Sequence, residues 1–186
     1  PVARPALMPA LLWIHGGGFV LGDMKGEDVT ARQLSKAADC VVVSVDYRLA
    51  PEHPFPAPLE DCYAALRWTA AQAGRLHIDP LRLAIGGGSA GGGLTAGLAL
   101  LARDRGEVDI CFQLLIYPMI DDRNLTPSSR AITDPRVWNR ESNLLGWRAY
   151  LGREPGGEGI SPYAAPARAS DLSGLPPAYL PIGELD

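Results

Sequence analysis

The stretch IGGGSAGGGLTAGLALLA, residues 85–102, sets a single serine, Ser89, between two triplets of glycine. Glycine is a poor residue for the interior of a strand or helix. Yet the residues before it, RLAIGG (82–87), read as a short strand. Those after it read as a helix that is apolar all round through Leu94, Ala96, Leu98, Leu100 and Leu101, as a buried helix is. Gly87-Gly88-Ser89-Ala90-Gly91 fits the pattern G-x-S-x-G. That pattern is a sharp strand-to-helix turn that projects the hydroxyl and needs small residues two positions away on either side. Gly92 and Gly93 fall in the first helical turn, where each costs about 1 kcal/mol relative to alanine. Close packing of this helix against its neighbours is expected to offset that cost. A phosphate-binding loop is the competing reading. It is the weaker one, because no Gly-Lys-Ser/Thr follows and the glycine spacing is not a dinucleotide fingerprint.

Outward from this turn, strand-like and helix-like segments alternate. ALLWI (10–14), CVVVSVD (40–46), ICFQLLIYP (110–118) and AYLPIG (178–183) read as further strands, the second of them covered on both faces. Helices are expected over 27–38, over 59–74 with Gly74 as its stop, and over 140–152. The proline-rich segment 47–58 reads as a stiff loop, and 119–139 and 152–177 as irregular. The class is therefore α/β, a mostly parallel sheet of about five strands with helices on both faces.

The 186 residues suit one domain, and 47% apolar against 20% charged residues suits a packed core. A net charge of −4 argues against a nucleic-acid partner, and no apolar run is long enough to span a bilayer. Cys40, Cys62 and Cys111 are odd in number and lie in or beside apolar segments. They read as small buried thiols, fitting a reducing, cytoplasmic compartment. Nothing in the sequence fixes an oligomeric state.

A second glycine run, His15-Gly16-Gly17-Gly18, follows the first strand. Such a run lets main-chain N–H groups turn toward a point where negative charge develops on a carbonyl oxygen. The amide of Ala90, just after the serine, is the usual further donor. HGGGFVLGD (15–23), DYRLAPEHPFPAPLED (46–61) and GGSAGG (87–92), in that order, resemble the hormone-sensitive-lipase-like esterases, the bacterial family IV carboxylesterases of the α/β-hydrolase fold. The resemblance covers nearly the whole chain. It implies Ser89 as nucleophile, Gly17, Gly18 and Ala90 as oxyanion-hole donors, a short- to medium-chain ester as small-molecule substrate, and no cofactor or metal. One position departs from the family pattern: Gly88 stands where those esterases carry aspartate.

A serine needs a histidine to take its proton and a carboxylate to orient that histidine. In this fold the order is serine, acid, histidine. The family's acid falls just after the fifth strand, which implies Asp186, with Glu184 the lesser candidate. Asp46 precedes Ser89, against that order, and is expected to support its loop through Arg48. None of the three histidines suits the base. His77 lies at the far edge of the sheet, roughly 17 Å from Ser89 along a five-residue strand. His15 belongs to the glycine loop, which it is expected to hold by hydrogen bonding, and His53 to the proline-rich loop. The resemblance therefore implies a base beyond Asp186. Residues 1–186 are expected to be part of a catalytic domain, inactive alone, without the N-terminal cap, the final strand and the final helix. The apolar fifth strand is then expected to be an unpaired edge. Two readings stay beside the esterase: a non-catalytic ligand-binding relative, as in the plant gibberellin receptors, and a peptidase or amidase of the same superfamily. Trp13, Trp68, Trp138 and Trp147 are expected to pack, with no functional role.

Overall fold

Continuous β-branched and aliphatic runs form the centre of the molecule. A computed structural model describes residues 6–183. Five parallel strands make one sheet: β1 (Met8–Ile14), β2 (Val41–Val45), β3 (Ile78–Gly88), β4 (Phe112–Ile116) and β5 (Ala178–Tyr179), in the order β2-β1-β3-β4-β5. The chain leaves β1 through α1 (Asp28–Ala38) to β2 at one edge. It returns through α2 (Ala57–Ala71) and α3 (Ala73–Leu76) to β3 on the other side of β1. Strand order reverses between β1 and β3, and at such a point the carboxyl ends of neighbouring strands open a crevice. The register Ile14↔Gly87 brings the glycine runs after β1 and around Ser89 to that one place.

Alternation along the strands divides the core in two. Leu12 and Ile14, with Leu83 and Ile85, pack against Leu59 and Leu66 of α2 and Leu94 and Leu98 of α4 (Ala90–Arg105); Trp147 and Tyr150 of α6 (Arg140–Leu151) join the same cluster. Leu11, Trp13 and Cys40 make a smaller cluster on the opposite face, with Leu34 of α1 against it. Helices thus lie on both faces, as expected. The buried helix is α4, and its glycines are packed as anticipated. A Cβ on Gly92 would come 2.9 Å from Pro118 Cβ, and one on Gly93 would overlap the Met119 carbonyl.

Several expectations are corrected. β2 is only half-buried over Val41–Ser44 because it is an edge strand, although both its faces are covered as expected, Val41 and Val43 by the larger cluster and Val42 by the smaller. β3 begins four residues earlier than predicted, with a register irregularity opposite Met8–Ala10, where Pro80 lacks a donor. Gly74 does not stop a helix; it lies inside the short α3. Helix α5 (Pro127–Ala131), capped by Thr126, interrupts the predicted loop 119–139. The fifth strand is only two residues long, although Tyr117 N–H still donates to Pro181 O at 2.9 Å. Pro176, Pro177 and Pro181 supply no donors there. Among the described residues β5 lies at one edge of the sheet. Cys111 is exposed, unlike Cys40 and Cys62. Among the described residues no helix is long and apolar enough to cross a membrane.

Candidate active site

Ser89 occupies the joint between β3 and α4 with φ 55° and ψ −121°, a conformation that L-residues rarely adopt. Both sides of its peptide are pinned. Its N–H donates to Ile116 O at 2.9 Å, and its carbonyl accepts from Gly93 N and Met119 N, each at 3.0 Å. The strain is thus held by the end of β4 and the first turn of α4. The side chain is half-buried and lines a cavity of about 450 Å³ with Tyr117, Met119, Ile120, Trp138 and Trp147.

The loop after β1 lies directly against this joint. A Cβ on Gly16 would come 2.9 Å from Gly88 O and 3.4 Å from Ser89 Cβ, and one on Gly91 would overlap the carbonyls of Ile14 and His15. Gly17 and Gly18 have φ of 115° and 59°, a left-handed course that glycine follows without strain. The N–H groups of Gly17, Gly18 and Ala90 have no acceptor among the described residues. The last of these belongs to the first turn of α4, whose donors have no intrahelical partner.

His15 holds this loop, as expected. It is 2% exposed, and its Nδ1 lies 2.7 Å from Gly16 O, so Nδ1 carries the proton. Its ring stacks on Tyr47 at 4.2 Å between centroids, and Tyr47 Oη donates to His15 O at 2.9 Å. Burial, with Cys62 and Glu27 adding to it, pushes the Tyr47 phenol far above its ordinary pKa, so it stays a donor. His53 is exposed, and His77 is exposed at the start of β3, the end of that strand remote from Ser89. Arg48 supports its loop through Asp61 instead of Asp46: Nε and Nη2 each lie 2.8 Å from the carboxylate. Asp46 is exposed. Glu184 and Asp186 lie outside the described residues.

The segment after β4 forms the remaining wall of the cavity and is anchored from behind. Asp122 is fully buried; it accepts from Arg168 Nε at 2.5 Å, Arg168 Nη2 at 2.9 Å and Gly156 N at 2.6 Å. Two tryptophans expected only to pack, Trp138 and Trp147, line the cavity, as do Asn124 and Asn143. No spacing in the sequence marks these four. Asn139, the N-cap of α6, is the nearest local signal, and it marks a helix start only. Among the described residues no group of three or more histidine, cysteine, aspartate or glutamate side chains is placed to hold a metal ion.

A cavity-facing serine on a strained turn, beside main-chain amides with no acceptor among the described residues, can attack a carbonyl carbon and hold the oxygen charge that results. Relatives carry the same architecture. The alpha/beta hydrolase fold model matches residues 11–186. Esterase LipI of Mycobacterium tuberculosis is 44% identical over 179 residues, 96% of this chain and 55% of that protein. Carboxylesterase NlhH of the same species is 42% identical over 189 residues, 100% of this chain and 58% of that protein. A structure titled bacterial heroin esterase superposes with a TM-score of 0.91 at 48% identity, covering 97% of this chain and 58% of that one. The chain thus spans somewhat more than half the length of these relatives. With matched residues running from β1 to its last residue, the chain belongs to the α/β hydrolase fold family, and its motifs put it among the hormone-sensitive-lipase-like esterases.

Proposed function

We propose that this chain carries the nucleophile and oxyanion hole of a serine-dependent carboxylic ester hydrolase. Ser89 Oγ attacks the acyl carbon of a short- to medium-chain ester. The amides of Gly17, Gly18 and Ala90 receive the charge that forms on the carbonyl oxygen. The alcohol leaves, and water then releases the acid from the acyl-enzyme. Asp186 orients the histidine that takes the Ser89 proton. His15, His53 and His77 are placed for other work, so that histidine comes from outside these 186 residues, and the chain alone turns over esters poorly. The three unpaired cysteines support a cytoplasmic site of action.

The observation that carries this reading is the left-handed Ser89, half-buried at a cavity mouth with Gly16 against its Cβ. The names of the relatives, esterase and carboxylesterase, support ester over other acyl substrates. The test has two arms. These 186 residues, given p-nitrophenyl butyrate, should hydrolyse it little above background; full turnover would remove the claim that the base lies elsewhere. In a longer chain that supplies the histidine, Ser89→Ala should lower kcat by roughly 10³-fold or more. A phosphonate ester should add its mass to the peptide bearing Ser89. Retained activity in Ser89→Ala would end the mechanism.

A further inference from the structure

We propose that Trp138 is a positioning residue that clamps the Gly18 main chain, itself held by a relay through Asn143 to Asn124. The inference rests on reading Gly18 as an oxyanion-hole donor. The indole ring lies flush on Gly18: a Cβ there would overlap its six-membered ring. Gly146 of α6 closes in on both, since a Cβ on it would come 2.7 Å from Gly18 O and 3.4 Å from Trp138 Cζ2. Gly18, in its left-handed conformation, is therefore packed against the ring and a glycine of α6, with no room for a side chain of its own.

Core burial does not hold that ring, because Trp138 is 42% exposed. Hydrogen bonds do. Indole Nε1–H donates to Asn143 Oδ1 at 3.2 Å, and Asn143 Nδ2 donates to Asn124 Oδ1 at 3.1 Å. An indole nitrogen can only donate, so it fixes which way round both amides lie. Asn124 ends the relay. It is buried with φ 54°, and its Nδ2 has no acceptor among the described residues. An orphaned donor and a left-handed asparagine are both costs, and such costs gather where a site is held in a required geometry. The backbone next to Trp138 is also tied down. Asn139 Oδ1 accepts from Ser142 N at 3.0 Å while its Nδ2 donates to Asp134 O at 3.2 Å. Because the same ring lines the Ser89 cavity, an acyl group seated there would touch the residue that holds the oxyanion loop.

The test is ¹⁵N relaxation on the protein with no substrate present. The Gly18 amide should be rigid, with an order parameter near 0.85, and should fall below about 0.6 in Trp138→Ala. Asn143→Leu, which leaves the indole without its acceptor, should loosen Gly18 in the same direction. Asn143→Asp should rescue it: the carboxylate keeps the indole's acceptor, and Asn124 can turn over to donate its orphaned Nδ2. Amides of β1 report whether each variant is folded; should Trp138→Ala unfold, the Asn143 pair decides. An unchanged Gly18 in folded Trp138→Ala, or equal loosening in both Asn143 variants, would overturn the clamp. Where turnover is measurable, Trp138→Ala should lower kcat by about 10²-fold, the effect of losing one oxyanion donor, with KM much less changed. Relaxation needs no chemistry. In a longer chain that supplies the histidine, a failed ester assay with Gly18 rigid in the wild type and loose in the variant refutes the esterase and leaves the clamp standing.

Discussion

His15 has the chemistry of a base and is committed to architecture. Its Nδ1–H is engaged with Gly16 O, its ring with Tyr47, and its carbonyl with the Tyr47 phenol. The sequence motif identified the residue as a loop holder, but its main partner, 32 positions away, carries no local sign. Tyr47 is the test of that partnership. Tyr47→Phe keeps the stacked ring and removes only the hydroxyl, leaving the buried His15 carbonyl without that donor. Stability should fall by about 1–2 kcal/mol with an unchanged urea m-value. No loss would mean that the phenol does not support the loop.

The β3–α4 joint was legible because its constraint is written locally. Only glycine fits at position 91, where Cβ would overlap the carbonyls that end β1, and a serine at φ 55° needs small neighbours. Gly91→Ala gains about 1 kcal/mol in helix propensity. It should nevertheless destabilise by roughly 2 kcal/mol or more, since the overlapped atoms are main chain and cannot move aside. Gly74→Ala is the control: the site is open, and α3 should gain about 0.5–1 kcal/mol there. Chemical denaturation of both variants checks the pair, and a neutral Gly91→Ala would show that the joint is looser than its packing. What escaped the sequence depends on neighbours far along the chain. The run Val41–Val45 looks the same at a sheet edge as at its centre. The prolines around β5 shorten it without erasing its pairing. Trp138, Asn143 and Asn124 meet through the tertiary fold alone, and no pattern in 119–139 signals the cavity wall they form. The strained turn at Ser89 and the glycine loop against it were thus readable, whereas the proposal of Asp186 as the acid rests on the motif alone.

Across the whole molecule, charge is organised by arginine: each of the nine ion pairs among the described residues joins an arginine to a carboxylate. Most are exposed and contribute little singly. The pairs Arg48–Asp61 and Arg123–Asp121 matter more, because they fix the proline-rich loop and the cavity wall. Partial burial works to raise the Asp61 carboxyl, but the Arg48 hydrogen bonds and charge outweigh it, so its pKa lies below the usual value. The Arg123 hydrogen bond likewise lowers Asp121, against a smaller effect of burial. A carboxylate with a lower pKa folded than unfolded binds fewer protons in the native state, so stability rises with pH across that interval. The contribution is complete above the ordinary carboxylate pKa of about 4 and is lost as pH falls through the folded values. Melting temperature should therefore be level from pH 7 to 5.5 and decline progressively below about pH 4. Asp61→Asn should start lower at pH 7 and show a shallower acid decline, since it removes one of the groups that must be protonated. A wild-type melting temperature that held constant down to pH 3, or an Asp61→Asn curve parallel to it, would show that these arginine pairs do not set the acid stability of the fold.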